Sequence, residues 1–222
     1  MRRGAPSDSQ SGPMPMPLTL YIATGNAGKL KEFAEAAGPS GARVLPLPGL
    51  EGIPTPREDQ PTFAGNARAK AVYYSSTLPG AVVLADDSGL EAVGLGGAPG
   101  VRSARYAADA GFAPPGLTTD ASNNLLLLRE LAGVADRGAR YVCALAAARD
   151  AQVIAVAEGT VEGRILAAPQ GGGGFGYDPL FYLPERGCSM AELSGEEKWT
   201  LSHRGRAFRA LLPLLQCAPE SR

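Results

Sequence analysis

Histidine is almost absent from this chain: one occurs in 222 residues, at position 203. Cysteine is scarce too, with three widely spaced residues, Cys143, Cys188 and Cys217, and no CxxC pair. That usage argues against a disulfide framework and a zinc site, and it fits a reducing cytoplasm. No apolar stretch approaches the roughly 20 residues needed to span a bilayer, and the leucine run at 125–128 lies inside a short helical pattern. Neither sign of charge dominates. The balance of 21 Lys and Arg against 22 Asp and Glu leaves −1, so no general field draws the chain to nucleic acid or an anionic membrane. Residues 1–17 hold two arginines but no hydrophobic core segment, which is not the pattern of a signal peptide. Rich in Pro, Ser and Gly, they are expected to form a disordered tail, with 218–222 a short tail at the other end.

What is present alternates between strand and helix signals. Residues 18–23 read as a strand, and 29–37 as a helix with Leu30, Phe33, Ala34 and Ala37 on one face. A short strand at 43–47 leads into a Pro/Gly-rich connection through Pro61. Thr62 is placed to cap a helix whose buried stripe is Phe63, Ala67, Ala71 and Tyr74. The apolar run 81–85 reads as a buried strand that ends in Asp86-Asp87, with Gly89 as a breaker beyond it. A flexible loop is expected at 94–100, and a helix capped by Thr119 or Asp120 through Leu131. Two β-rich runs, 141–148 and 153–161, flank Arg149-Asp150 as a hairpin. A glycine loop at 170–176 and one closing helix at about 196–216 complete the pattern. The hairpin interrupts the alternation, which predicts an α/β fold with a mixed sheet in one unit over 18–217.

Four segments carry chemistry. Side-by-side carboxylates at a strand end repel each other and lose hydration, so Asp86 and Asp87 need compensation. Oxygen-only ligands of this kind favour Mg²⁺ shared with substrate phosphates. A solvated acidic loop is the plain alternative. The turn Thr24-Gly25-Asn26-Ala27-Gly28-Lys29 joins the first strand to the first helix, where free N–H groups and the helix dipole suit a phosphate. It is not a Walker A loop, because Ala23 and Leu30 stand where that pattern needs Gly and Ser or Thr. An ordinary turn with Asn26 as cap is compatible with the same residues. Ser202-His203-Arg204 sets the lone histidine beside a hydroxyl and guanidiniums, able to bond a ring carbonyl or an anion, or to form a solvated basic face. The run Gly174-Phe175-Gly176-Tyr177-Asp178-Pro179 offers two aromatics for a heterocycle, or for packing. Phosphate, metal and base elements together make nucleotide handling the economical joint reading.

The chain resembles the inosine triphosphate pyrophosphatase family, the dITP/XTP diphosphatases that cleanse nucleotide pools. The resemblance spans nearly all of residues 18–215. It rests on Thr24-Gly25-Asn26 with Lys29; on Glu58 followed by Thr62-Phe63, Asn66-Ala67 and Lys70-Ala71; and on Asp86-Asp87-Ser88-Gly89-Leu90. It continues in Gly96-Gly97-Ala98-Pro99-Gly100-Val101 with Ser103-Ala104-Arg105-Tyr106, in the Phe175-Tyr177-Asp178 run, and in Glu197-Lys198 through Ser202-His203-Arg204. Six motifs in order, at matching separations, make it specific.

The resemblance implies hydrolysis of ITP, dITP or XTP to monophosphate and pyrophosphate with Mg²⁺. It implies a long mixed sheet in two lobes with flanking helices, a nucleotide cleft between the lobes, and a homodimer. By position, Asp87 is the expected general base, and Glu58 with Asp86 or Asp87 the expected metal ligands. Thr24, Asn26, Lys29 and Lys198 are expected on phosphate, with Ser88 orienting that network. Phe175 and Tyr177 are expected to flank the base, and Asp178, Ser202, His203 and Arg204 to read its polar edge. Three positions depart from the family pattern: Gly65 for an acid, Gln60 for a glycine, and Trp199 for a small polar residue. A Maf-type pyrophosphatase for modified pyrimidines and a non-catalytic nucleotide sensor are the rival readings. Nucleic-acid binding is disfavoured by the neutral charge balance.

Overall fold

A computed structural model describes residues 18–37 and 41–216, so both expected tails and Cys217 lie outside the described residues. Strand β1 (Thr19–Ile22) pairs in parallel with β2 (Arg43–Pro46) on one side and β3 (Val82–Ala92) on the other. Parallel neighbours need crossovers, and α1 (Ala27–Ala37) and α2 (Phe63–Ser75) supply them. From β3 onward pairing turns antiparallel, through β4 (Gly138–Arg149), β5 (Gln152–Ile165), β6 (Phe181–Leu183) and β7 (Cys188–Ser189). One seven-stranded mixed sheet results, in the order β2-β1-β3-β4-β5-β6-β7. The remaining helices are α3 (Tyr106–Asp109), α4 (Thr119–Glu130), α5 (Gly195–Leu201) and α6 (His203–Gln216). This is the expected α/β class. Among the described residues no helix is long and apolar enough to cross a membrane.

The long strands carry a core at each end. Near β1, Leu20, Ile22, Phe33, Leu84, Leu145 and Phe208 pack together; toward the other end, Leu90, Leu127, Tyr141, Ile165 and Phe181 do so. Phe33 anchors α1 as expected, whereas Ala34, assigned to the same face from the sequence, is exposed. Thr62 caps α2 by accepting from the Gly65 N–H at 3.0 Å, and Phe63, Ala67 and Ala71 pack on Ala85 and the alanines of β4.

Five elements differ from the sequence reading. The aspartate pair does not end its strand: β3 runs on to Ala92 because β4 pairs with it as far as Ala92↔Ala139. Gly89 is therefore not a breaker but a point of close approach. A Cβ there would lie 2.3 Å from Ser103 Oγ and 2.6 Å from the Gly100 carbonyl. Gly89→Ala is expected to destabilise the protein by about 1–3 kcal/mol through this overlap. Urea denaturation checks it, and an unchanged midpoint would mean that the 100–105 turn yields freely.

The hairpin turn is Asp150-Ala151, both at positive φ, one residue later than Arg149-Asp150. Two positive φ values match the right-handed strand twist. The cap of α4 is Thr118, which accepts from Ala121 N. The closing helix is two helices, broken at Ser202, whose ψ of 157° is extended. Residues 94–100, expected as a flexible loop, run from one short 3₁₀ turn, Val93–Leu95, into another, Gly100–Arg105.

Candidate active site

The Ala23 N–H makes the last β1–β3 contact, to the Leu84 carbonyl at 2.8 Å. Past that point β1 gives way to α1, and of the pair Asp86 and Asp87 on β3 it is Asp86 that borders a cleft. Side chains alternate across a strand, so the two carboxylates leave on opposite faces. Asp86 meets Lys29 of α1 at 2.8 Å, with Arg204 of α6 at 3.8 Å. Asp87 meets α2, accepting from Lys70 Nζ and from Asn66 Nδ2, each at 3.0 Å. The expected mutual repulsion is thus relieved by fold and by protein cations.

The two acids titrate in opposite directions. Burial opposes ionisation of Asp86, but Lys29, then Arg204 and Lys70, outweigh it and hold the carboxyl at about 2. At Asp87 burial prevails over Lys70 and Asn66, and the carboxyl is raised above its ordinary value. Lys70 is also buried, yet Asp87, Asp86 and Glu58 together raise its pKa. It bridges two of the expected acids, donating to Glu58 Oε1 and Asp87 Oδ1 at 3.0 Å each. Among the described residues no three Asp, Glu, His or Cys side chains form a group able to hold a metal. Glu58, Asp86 and Asp87 therefore do not make a three-acid cage: an ammonium joins two of them and the third faces the other way. Glu58 and Asp86 nonetheless line one cleft of about 640 Å³ with Thr24, Asn26, Lys29 and Lys70.

The strand–helix turn satisfies both of its sequence readings. Asn26 Oδ1 accepts from Lys29 N at 3.1 Å, an N-cap for α1, and Thr24 Oγ1 accepts from Asn26 N at 3.2 Å. The same two residues and Lys29 line the cleft.

Asn26 and Lys29 also border a second cavity, of about 110 Å³, whose walls include Tyr141, Phe175, Tyr177, Asp178, His203 and Arg204. His203, 2 % exposed, stacks on Tyr141 with ring centroids 4.6 Å apart, and neither ring nitrogen has a hydrogen-bond partner. Burial, then the charges of Arg204, Lys198 and Lys29, push its pKa well below the ordinary value. Arg204 donates to Glu32 Oε2 at 3.1 Å and to Ser88 Oγ at 2.9 Å, while Ser88 donates to Asp86 at 3.0 Å. Phe175 lies under both Lys198 Nζ, 4.8 Å from its centroid, and the Arg204 guanidinium, at 4.9 Å. Tyr177 donates to the Ser103 carbonyl at 2.8 Å.

Two assigned residues take other places. Lys198, expected on phosphate, is buried at the base end, 2.6 Å from Asp178 and 2.8 Å from Glu32. Ser202, expected on the base edge, is fully buried and caps α6 by accepting from Gly205 N at 3.1 Å. Four participants were not assigned: Asn66, Lys70, Glu32 and Tyr141. Asn66 and Lys70 stand one helical turn apart, a spacing that puts both on one face; Tyr141 left no signal beyond a β-rich run.

The departures have physical counterparts. A Cβ at Gly65 would lie 2.9 Å from Gln60 Cβ, so Gln60 occupies the room a side chain at 65 would need. The Gln60 N–H donates to Asn66 Oδ1 at 3.0 Å, which turns the Asn66 amide nitrogen toward Asp87. Trp199 packs edge-on against Phe33 and Phe208 in the core.

One pH effect follows from His203. The unfolded chain takes up its proton below about pH 6.5 while the folded state resists, so stability falls with pH, by up to about 1.4 kcal/mol per unit. With one histidine in the chain, His203→Phe should flatten stability between about pH 7 and pH 5. Urea midpoints of the two proteins that fall in parallel would refute this.

A model of the Ham1 family matches residues 20–214. A dITP/XTP pyrophosphatase of Acidobacterium capsulatum is 58% identical over 201 residues, covering 90% of this chain and 99% of that protein. One from Thermus thermophilus is 45% identical over 208 residues, covering 92% and 95%. Among solved structures, a HAM1 protein from Coxiella burnetii superposes with a TM-score of 0.75 at 35% identity, covering 90% of this chain and all (100%) of that one. The Staphylococcus aureus Ham1 protein gives 0.74 at 36%, covering 89% and 98%.

Proposed function

The chain belongs to the Ham1 family, and we propose that it hydrolyses non-standard purine nucleoside triphosphates (ITP, dITP, XTP) to monophosphate and pyrophosphate. The observation that carries this reading is a pair of adjoining pockets, sharing Asn26 and Lys29, with chemically distinct ends. Lys29 and the N-terminus of α1 face the acids at one end; at the other, a buried, unpartnered imidazole stands among aromatic walls. Relatives named for dITP and XTP support the purine assignment and do not favour the Maf-type or sensor alternatives.

Hydrolysis needs charge neutralised and water aligned, with little covalent work for the protein. Asp87 serves as general base: burial makes it a better proton acceptor, and Lys70 and Asn66 hold both its oxygens. Water adds to the α-phosphorus, its proton passes to Asp87, and the bond to the pyrophosphate oxygen breaks. Lys29 and the free N–H groups of α1 hold the phosphates. The donor set fits Mg²⁺, being carboxylate oxygens on a cleft with room for phosphates, and this ion is commonly held by one or two carboxylates plus substrate. Glu58 with Asp86 or Asp87 would hold it, and bound there it supplies further neutralisation of phosphate charge. His203, kept neutral, and Arg204 offer hydrogen bonds to a 6-keto edge. A homodimer in a reducing cytoplasm belongs to the same proposal, resting on the family resemblance and the cysteine usage.

Pyrophosphate release from a nucleotide panel at varied Mg²⁺ tests the reading. Turnover of ITP, dITP and XTP well above ATP is expected. Preference for modified pyrimidines, or tight binding without release, would overturn it.

A further inference from the structure

The base-side loop is tied down by a helix that none of the site motifs includes. Gly176 stands between the two aromatics, Phe175 and Tyr177, at φ +62°. Glycine there has the widest backbone freedom of any residue, so the pitch of the two rings depends on what holds that peptide. Both of its polar groups are held by α4. Gly176 N–H donates to Asp120 Oδ2 at 2.8 Å, and the Gly176 carbonyl accepts from Asn124 Nδ2 at 3.0 Å. Asp120 and Asn124 lie one helical turn apart on one face, which matches the two ends of a single residue. Asp120 and Gly176 both border the base cavity.

The neighbouring contacts make the loop's position consequential. Phe175 N–H donates to Asp178 Oδ2 at 2.8 Å, and Phe175 packs so closely on Gly28 that a Cβ there would stand 2.6 Å from its ring. A tilt at Gly176 therefore moves the ring that touches the phosphate-side helix. It also shifts where a base resting on that ring meets His203 and Arg204.

We propose that Asp120 and Asn124 are positioning residues for base selection, a clamp on the Gly176 peptide that sets Phe175 and Tyr177 for a 6-keto purine. This rests on the pyrophosphatase reading above. It adds a selectivity device on α4, separate from the residues that face the phosphates.

The test uses the full chain with Asp120→Ala, Asn124→Leu and the conservative Asp120→Asn, whose Oδ1 still accepts from Gly176 N–H. Kinetics with ITP and ATP are combined with inhibition by inorganic tripolyphosphate, a probe of the phosphate end alone. Asp120→Ala and Asn124→Leu should each raise KM for ITP about tenfold and lower the ITP-to-ATP ratio of kcat/KM comparably, as expected for a lost hydrogen bond. Tripolyphosphate inhibition should stay within about twofold, and Asp120→Asn should behave as wild type. Hydrogen exchange of residues 171–178 should quicken in Asp120→Ala. Unchanged KM and selectivity, a parallel weakening of tripolyphosphate inhibition, or an Asp120→Asn as impaired as Asp120→Ala would each overturn the clamp. If wild type fails to turn over ITP, the functional reading fails instead. The clamp then stands or falls on whether exchange at 171–178 quickens in Asp120→Ala.

Discussion

Asp87→Asn should lower turnover of ITP by at least about 100-fold, the loss expected when a general base is removed. The variant keeps the shape of the side chain and one accepting oxygen, so Lys29, Asn26 and the base cavity are untouched. Its fold should persist for a specific reason. Burial already penalises the charged form of Asp87, so a neutral amide relieves that cost, while Lys70 retains Glu58 at 3.0 Å. The opposite outcome is expected at Asp86, whose ionised form is held by Lys29 and Arg204. Asp86→Asn removes the anion that Lys29 meets at 2.8 Å and leaves the buried Arg204 with Glu32 alone, and it should lower stability more than Asp87→Asn does. Single-turnover kinetics and urea midpoints on both variants check the pair. Near-normal turnover in Asp87→Asn would remove that residue from its role.

The second large effect is on selectivity. His203→Ala should lower the ITP-to-ATP ratio of kcat/KM by about 10- to 100-fold while changing phosphate affinity little. A site built to bond one edge of the base rejects the wrong base because its buried polar groups then go unpaired. His203 meets that condition: it is 2 % exposed, neutral, fixed by stacking on Tyr141, and without a partner on either nitrogen. A 6-keto oxygen accepts where a 6-amino group donates, so the two bases present opposite needs at the same edge. Competition by tripolyphosphate separates base from phosphate effects. A selectivity ratio equal to wild type would refute the assignment.

The element order was readable along the chain because periodicity is local. Phe63, Ala67 and Ala71 repeat as a helix stripe, and the β-rich runs on either side of Asp150 repeat as strands. Turn and cap positions slipped by a residue, and the larger misreadings mostly concern what a residue meets from elsewhere. Asp86-Asp87 looked like a strand end because apolar character stops there, yet β4, more than fifty residues later in sequence, carries the strand onward. Gly89 looked like a breaker although the turn at 100–105 demands a missing side chain at that point. Ser202 and Lys198 sit in the right motif, but their partners, Gly205 N–H for one and Asp178 with Glu32 for the other, direct them away from the assigned contacts.

Amino-acid order by itself determined the α/β class, the family, and which residue types stand at the turn after β1, on β3 and at the start of α6. Only the folded chain decided that Asp86 and Asp87 face apart, that Lys70 rather than a third acid joins Glu58 to Asp87, and that α4 holds the base loop. The physical reason is range. Backbone preference and side-chain alternation act over a few residues, whereas ion pairing and burial depend on which distant segments the sheet brings into contact.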